Sequence, residues 1–506
     1  MNLLSLIIAT PACGALIIGC LSSATLAKKI SLAVAGVELC LCCLSIFLFD
    51  HNANVFQFQE KYTWIAPLHI DYSVGVDGLS LLFLLMTALL TGLALLASWQ
   101  HNSIKPLEIS LMLLAESTVM GSLTALDMML FFSFWQLTVP PIYFLISFSG
   151  MGPQRRNAAN KYLIYMLFSS IPLFIAIMLL AVHHTTLLLG NTLDTLSFDF
   201  QILVDTPLSD SLQNSIFLLF LLGFAFKIPL MPCHTWLPTV AMEAPAHITA
   251  LILGLPTGIY GLMRFAMPLA PSAAVQYNWV LGILGAITLI YAALIALQQS
   301  NLRRLLAYTH ISQAGLIIIG IASLTIQGLQ GAQFHLINLT LISGSLMLLA
   351  GVLQQRLGST ERLHLGGLAK TMPYFTGIFV VFILASIGIP GTSGFPAELL
   401  LILGALIAHP SLGVTALVGC IINTSNLLLF FRNAFLGNVN KSPLTHHGDS
   451  HKQQLWWLFV PALLLILLGV FPNSILKLNQ ITTQNWLSRL LELPNWNEHN
   501  ASLSQL

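Results

Sequence analysis

The chain has 506 residues, of which 56% are hydrophobic and only 7% are charged, and its mean hydropathy is +0.85. A soluble protein of this length needs far more charged side chains at its surface, so the composition excludes a soluble enzyme and indicates a protein surrounded by the lipid bilayer. The net charge of +1 gives no sign of a nucleic-acid partner. The sequence has no nucleotide-binding glycine motif and no Cys/His spacing that suits a metal, so we expect neither a cofactor nor a metal in this chain.

Runs of about twenty apolar residues predict about fourteen membrane-spanning helices, numbered here as spans 1 to 14. The predicted fold class is therefore an all-α polytopic membrane protein. The tail after Ile475 carries Trp486 and Trp496 among polar residues, which predicts a short interfacial helix. In chain order the spans lie near residues 2–22, 29–49, 78–98, 108–125, 128–149, 162–182, 214–232, 244–266, 277–297, 306–325, 331–354, 374–404, 411–431 and 455–475.

Basic residues are distributed unevenly between the two sides of the predicted bundle. Loops after odd-numbered spans contain fourteen Lys and Arg residues, whereas the other side contains four. Because cytoplasmic loops are enriched in Lys and Arg, both termini are expected to face away from the cytoplasm. The fourteen are Lys28, Lys29, Lys105, Arg155, Arg156, Lys161, Arg303, Arg304, Arg356, Arg362, Lys370, Arg432, Lys441 and Lys452, and the four are Lys61, Arg264, Lys477 and Arg489.

Six polar residues within the predicted spans are the candidate functional residues. A polar or ionisable side chain in a membrane is costly and usually faces an interior path, so each one marks a candidate site. Lys227 and Glu398 carry most weight, because a lone charge far from a helix end is rarely structural. The six are Glu116 in span 4, Gln136 in span 5, Lys227 in span 7, His310 in span 10, His335 in span 11 and Glu398 in span 12.

Spans 7 and 12 are interrupted beside their charged residues. The stretch IPLMP follows Lys227, and PGTSGFP shortly precedes Glu398. Proline removes a backbone donor and clashes with the preceding turn, so both helices are predicted to be broken at membrane depth. Two such spans, five helices apart, are typical of inverted repeats. We therefore expect four parts: residues 1–107 with spans 1–3, residues 108–266 with the first five-helix repeat (spans 4–8), residues 277–432 with the inverted second repeat (spans 9–13), and residues 455–506 with the last span and the tail.

The types of polar residue also bear on the ion that is moved. Protons hop between titratable groups through water, and Lys, His and Glu are suited to that task. A dedicated sodium site would instead need clustered carboxylate and carbonyl oxygens. The residues alone therefore favour a proton-translocating membrane protein.

Several long motifs occur in a fixed order along the chain. They are DYSVGVDGLSLLFLLMTALLTGLALLASW, LFFSFWQLTVPPIYFLI, KIPLMPCHTWLPTVAMEAPAHITALILGL, RRLLAYTHISQAG and ASIGIPGTSGFPAELL. With these motifs the chain resembles the antiporter-like, proton-translocating membrane subunits of respiratory complex I (NADH-quinone oxidoreductase), and among them the family of chain M and mitochondrial subunit 4. The resemblance covers nearly the whole chain.

The resemblance implies a function and partners. The implied function is that of a membrane-arm subunit in a proton-pumping NADH:quinone oxidoreductase, driven by quinone reduction elsewhere in the complex. The implied location is the bacterial inner membrane, and with the charge distribution given above both termini are expected on its periplasmic side. NADH, FMN, iron–sulfur clusters and quinone are expected in partner subunits, and chain L-like and chain N-like subunits are the expected neighbours.

The resemblance also implies roles for individual residues. In the family, a glutamate of span 5 pairs with a lysine of span 7. A lysine of span 8, often with a histidine of span 11, connects to a lysine or glutamate of span 12. Lys227 matches the lysine of span 7, Glu398 matches the glutamate of span 12, and Glu116 matches a glutamate that many relatives have in span 4.

Four positions depart from the family pattern. Gln136 stands where the glutamate of span 5 is expected, so the lysine of span 7 lacks a carboxylate that would stabilise its charge. Pro256 replaces the lysine of span 8, which removes a relay group and predicts a kink. Leu339 replaces the histidine of span 11, although His335 lies one turn away, and Thr239 replaces an aspartate.

These departures leave alternatives to a pumping subunit. One is a structural subunit that keeps the fold as a spacer in the membrane arm but no longer pumps. Another is a subunit of a related assembly, such as a cation/proton antiporter, a membrane-bound hydrogenase or a bicarbonate-accumulating complex.

Overall fold

The computed structural model describes residues 2–50, 56–99, 104–187, 196–437 and 455–491. Within these ranges ten helices are long and apolar enough to cross a membrane, and an eleventh span is added if the bent helix pair near the C-terminus counts as one. The prediction of a largely helical, multi-pass membrane protein is therefore confirmed. The count of fourteen stays a prediction, as do the repeat boundaries, because three further apolar helices of the described chain have only 10–17 residues.

The N-terminal part of the fold corrects the all-α prediction, because it contains a β-hairpin. Its elements are α1 Leu3–Gly19, α2 Ala24–Leu48, β1 Gln57–Ile65, β2 Ile70–Val76 and α3 Gly78–Trp99. The strands are antiparallel, with Tyr62 opposite Tyr72. The carboxyl of Glu60 on β1 accepts hydrogen bonds from the backbone N–H groups of Leu4 (2.9 Å) and Ser5 (3.4 Å). These bonds satisfy free donors at the start of α1 and fix the hairpin against it.

The next part contains the helices of spans 4 to 6, namely α4 Pro106–Thr124, α5 Met128–Leu137, α6 Val139–Ser149 and α7 Arg155–Leu187, followed by the short α8 Phe200–Val204. Asp127 caps α5, since its Oδ1 accepts the N–H groups of Met129 and Leu130, both at 2.9 Å. Burial raises the pKa of Asp127 to about 6 in spite of these donors. Two prolines occupy the first turn of α6, where helices tolerate a missing backbone N–H. α5 and α6 together form one span of 22 residues.

Spans 7 and 8 are both interrupted. Span 7 consists of α9 Asp210–Lys227 and α10 Trp236–Glu243, so the break predicted after Lys227 is present. Span 8 consists of α11 Ala246–Leu253, α12 Thr257–Gly261, a π-helical turn Leu262–Ala266 and α13 Met267–Leu269, and α14 Pro271–Gln276 follows. Residues 254–256 interrupt the helix at Pro256, where the sequence predicted a kink.

The remaining helices are α15 Asn278–Leu297, α16 Leu302–Ala322, α17 Ile326–Leu357, α18 Leu368–Thr371, α19 Pro373–Ser386, α20 Gly394–Ala408, α21 Pro410–Phe435, α22 Phe459–Val470 and α23 Asn473–Leu491. The break predicted in span 12 lies between α19 and α20. A bend of 71° separates α23 from the helix before it, and Trp486 of α23 donates its Nε1 proton to the carbonyl of Met263 at 2.8 Å. Trp496, Lys441 and Lys452 lie outside the described residues.

Two glycines bring α15 and α16 into direct backbone contact. A Cβ on Gly285 would stand 2.8 Å from the carbonyl oxygen of Gly315, and a Cβ on Gly315 would stand 2.6 Å from the backbone nitrogen of Leu289. Small residues allow such close approach between membrane helices. The hydroxyl of Ser312 adds an interhelical hydrogen bond to the carbonyl of Leu289 at 2.7 Å. These contacts fix α16, which carries His310, against its neighbour.

Candidate functional site

Lys227 is the last residue of α9, at the break of span 7. The backbone that follows is satisfied inside the protein: the N–H of Met231 donates to Thr288 Oγ1 at 3.0 Å, and Trp236 Nε1 donates to the carbonyl of Phe226 at 2.9 Å. A helix C-terminus carries partial negative charge, which favours a cation at this position. The break therefore holds Lys227 at a fixed depth in the interior.

The ammonium of Lys227 lies over an aromatic ring instead of beside a carboxylate. Its Nζ is 3.8 Å from the centroid of the Trp135 ring, which is a cation–π distance. Neither Lys227 Nζ nor Gln136 Oε1 has a hydrogen-bond partner among the described residues, so no hydrogen bond joins the two. The sequence therefore located the correct helix, but the residue that faces the lysine is Trp135, one position before Gln136.

A first cavity extends from Lys227 to His310. It has about 20 Å³ of room for the centre of a water molecule, which is enough for one water. Pro256, Leu339 and Thr340 also line it. The departures from the family pattern at positions 256 and 339 thus both border the space between Lys227 and His310.

A second cavity of similar size continues on the other side of Leu339, which lines both. The ring Nδ1 of His310 lies 3.1 Å from Ser343 Oγ, and Ser343 lines this second cavity. His335 is also in its wall and donates from Nε2 to Gln313 Oε1 at 3.0 Å. The two cavities are therefore bridged by the pair formed by His310 and Ser343.

Glu398 lies at the far end of this series, in the first turns of α20 after the break of span 12. Gln313, the partner of His335, also forms a hydrogen bond with Glu398. The carboxyl is close to the broken backbone, because a Cβ on Gly388 would stand 2.5 Å from Glu398 Oε2. Gly388 also has a positive φ of 67°, which favours glycine.

The structure thus brings four of the six predicted residues into one line: Lys227, His310, His335 and Glu398. Glu116 lines neither cavity, and its carboxyl is buried beside the hydroxyl of Thr91. Prediction from the sequence missed three residues of interest, namely Trp135, Gln313 and Glu38. Glu38 lies in the middle of span 2, so the rule that selected Glu116 should also have selected it.

Comparisons with known proteins show the family of the chain. Residues 125–423 match the family model described as "NADH:quinone oxidoreductase/Mrp antiporter, TM". NADH-quinone oxidoreductase subunit M of Rickettsia prowazekii is 32% identical over 469 residues, which cover 91% of this chain and 93% of the relative. The same subunit of Rhodobacter capsulatus is 32% identical over 496 residues, or 94% of each chain. The chain belongs to the NADH-quinone oxidoreductase subunit M family. A further relative is NAD(P)H-quinone oxidoreductase chain 4 1 of Synechococcus elongatus. It is 35% identical over 443 residues, which cover 86% of this chain and 81% of the relative.

Solved structures show the same architecture. A chain of respiratory complex I from Thermus thermophilus with bound NADH superposes on this subunit M family member with a TM-score of 0.87 at 27% identity, covering 97% of this chain and 100% of that one. A chain of the Mrp complex from Dietzia sp. DQ12-45-1b has a TM-score of 0.83 at 22% identity, covering 97% and 100%, and shares the fold. The fold and family assignments therefore agree.

Proposed function

We propose that this chain is the membrane-arm subunit M of a proton-pumping NADH:quinone oxidoreductase and that it moves protons along the line Lys227, His310, His335 and Glu398. One observation carries the residue assignment: Lys227 and His310 line one cavity, and His335 lines the next. Glu398 joins them through its hydrogen bond with Gln313 in the wall of the second cavity, and the whole series lies between two broken helices. Its relatives, which span most of the chain, carry the name NADH-quinone oxidoreductase subunit M.

The proposal includes the setting of the chain. The excess of Lys and Arg after odd-numbered spans supports both termini on the periplasmic side of a bacterial inner membrane. Subunits similar to chains L and N are its neighbours, and NADH, FMN, iron–sulfur clusters and quinone belong to partner subunits. The two breaks correspond to spans 7 and 12 of two inverted repeats.

Each residue has a chemical task in this line. Lys227 alternates between ammonium and amine, and a water in the first cavity carries its proton toward His310. His310 passes the proton to Ser343, because a hydroxyl can both accept and donate. In the second cavity His335 receives it, and Gln313 orients the ring of His335 toward the carboxyl of Glu398. Glu398 alternates between carboxylic acid and carboxylate at the far end.

The departures from the family pattern change this route without removing it. The π face of Trp135 takes over part of the stabilisation that a carboxylate at position 136 would give to the charged lysine. Leu339 separates the two cavities, so rotation of its side chain is the step that joins them. Protons then pass between His310 and His335 without the lysine that relatives are expected to have at position 256.

The test is the number of protons moved per electron by the assembled complex in sealed vesicles. Two variants remove titratable groups at the two ends of the line, Lys227→Ala and Glu398→Gln. The matched control is Lys29→Ala, which removes an exposed lysine near the start of α2. Both site variants should lower the proton-to-electron ratio by the number of protons that this subunit moves per electron. The control should keep the wild-type ratio.

A spacer subunit would give a different result. If the complex assembles with either site variant and retains both the wild-type ratio and the wild-type rate of electron transfer, Lys227 and Glu398 do not take part in pumping. A chain that copurifies with antiporter subunits and without NADH-oxidising subunits would contradict the assignment to NADH:quinone oxidoreductase.

A further inference from the structure

Two buried carboxyl groups lie outside the line described above. Glu38 is in the middle of α2 and Glu116 in the middle of α4, and both residues are 0% exposed. By distance and angle, none of their four carboxyl oxygens is hydrogen-bonded within the part of the chain that the structure describes. The hydroxyl beside Glu116, that of Thr91 on α3, donates to the carbonyl of Thr87 at 3.0 Å. An ionised carboxylate in such surroundings is costly unless it is paired and hydrogen-bonded.

The two carboxyl groups lie at the same depth. A Cβ on Gly14 of α1 would stand 2.9 Å from Val34 Cγ1 and 3.3 Å from Leu113 Cδ1, so Val34 and Leu113 are level with each other. α2 and α4 both run antiparallel to α1. Glu38 lies one turn beyond Val34, and Glu116 lies one turn beyond Leu113. The two carboxyl groups therefore lie at the same level of this helix group.

No basic group compensates this pair among the residues that the structure describes. α3, which packs against both helices, has no titratable side chain between Gly78 and Trp99. Lys28 and Lys29 lie ten and nine positions before Glu38, roughly 14 Å away along the helix. The elements packed against α2 and α4 have no other basic group among their described residues. Their remaining titratable groups are the thiols of Cys13, Cys40, Cys42 and Cys43, the carboxyls of Glu108, Asp127 and Asp71, and the phenols of Tyr72, Tyr143 and Tyr260.

We propose that Glu38 and Glu116 form a second proton-binding site of this subunit, in which both carboxyl groups are protonated at neutral pH. Two buried carboxylates at the same level, with no cation beside them and only the Thr91 hydroxyl next to Glu116, would repel each other in a low-dielectric interior. Protonation removes both charges. Binding forms one O–H bond per carboxyl with a proton taken from water. The site lies between spans 2 and 4 and lines neither cavity of the Lys227–Glu398 line, so the proposal does not depend on whether that line pumps.

Infrared difference spectroscopy of the purified complex tests the proposal directly. A protonated carboxyl shows a carbonyl stretch that is distinct from the bands of a carboxylate. Subtracting the spectrum of the double variant Glu38→Gln/Glu116→Gln from that of the wild type at neutral pH should show two lost carboxylic acid groups per chain and no lost carboxylate. Each single variant should show the loss of one. Glutamine has nearly the shape of the protonated acid, so assembly is expected.

Glu60 provides the matched control on the same part of the chain. It is also buried, but its carboxyl accepts backbone and hydroxyl hydrogen bonds from Leu4 and Ser5. The variant Glu60→Gln should leave the carboxylic acid bands of Glu38 and Glu116 in place. This result would exclude a general effect of replacing a buried glutamate in this part of the chain.

A second measurement requires no variant. Dicyclohexylcarbodiimide reacts with protonated carboxyl groups in apolar surroundings: the carboxyl oxygen bonds to the carbodiimide carbon, its proton moves to nitrogen, and acyl migration leaves a stable N-acylurea. Peptide mapping of the treated complex should find the adduct on Glu38 or Glu116 and not on Glu60. A lost carboxylate band at positions 38 and 116, or protonation that disappears when sodium ions are added, would overturn the proposal.

Discussion

The contact between Lys227 and Trp135 gives a prediction with a definite magnitude. The ammonium is 3.8 Å from the ring centroid, and Trp135 is only 1% exposed, so the contact is desolvated. A cation–π contact in such surroundings is worth about 2 kcal/mol, or about 30-fold in an equilibrium constant. In Trp135→Leu the charged form of Lys227 loses this stabilisation, and the lysine releases its proton about 30-fold more readily. Trp135→Phe keeps a weaker π face and should give an intermediate result.

The assay is proton pumping per electron in vesicles, measured as a function of pH. The alkaline limb of the profile should move toward lower pH by about 1.5 units in Trp135→Leu, because one pH unit corresponds to about 1.4 kcal/mol. Trp457→Leu is the control, since Trp457 is also buried, at 2% exposed, and lines neither cavity. An unchanged profile in Trp135→Leu, together with normal electron transfer, would refute the role of the ring.

Two further predictions follow from local geometry. Gly388→Ala should lower pumping as Glu398→Gln does, because the new Cβ would meet Glu398 Oε2 at 2.5 Å. The positive φ of this position adds about 1–2 kcal/mol of strain for any residue with a Cβ. The control is Gly377→Ala, which places its Cβ in open space and should pump normally. Asp127→Asn keeps the helix cap but has no charge to bury. The pKa of Asp127 is raised on folding from 3.8 to about 6, so the wild type loses stability as the pH rises through this range. The variant should therefore be more stable than the wild type by about 3 kcal/mol at pH 8 and little different from it at pH 4. Thermal denaturation of the purified complex measures this, and a gap that does not change with pH would contradict it.

Much of the fold was predictable from the sequence, because membrane helices are defined by length and hydropathy alone. The breaks of spans 7 and 12 were predictable as well, because each combines two prolines within a few residues, and each proline removes a backbone donor and clashes with the preceding turn. The β-hairpin was missed because its strands are short, partly polar and lie between two spans, where a hydropathy window gives no signal. It can be recognised only by the alternation of residues in QFQEKYTWI and IDYSVGV.

The candidate site was predictable by residue type but not by contact. Lys227, His310, His335 and Glu398 were selected because each is costly in a membrane. The first three line the two cavities, and Glu398 is connected to them through Gln313. The partner of Lys227 was not predictable. Adjacent positions on a helix point about 100° apart, so the sequence could not decide whether residue 135 or residue 136 faces the lysine. An aromatic residue in an apolar helix also carries no sign that it faces a cation.

The contact between Gly285 and Gly315 has a consequence for which substitutions the protein can accumulate. Any side chain at either position would have to enter the neighbouring backbone, at 2.8 Å and 2.6 Å. On the opposite face of α15, Ile283, Ile287 and Leu294 are 43%, 45% and 48% exposed. These positions face outward and can exchange freely among apolar residues. A single helix therefore has one face that tolerates no change of size and another on which only hydrophobicity counts, and random mutagenesis of α15 scored by assembly of the complex would separate the two.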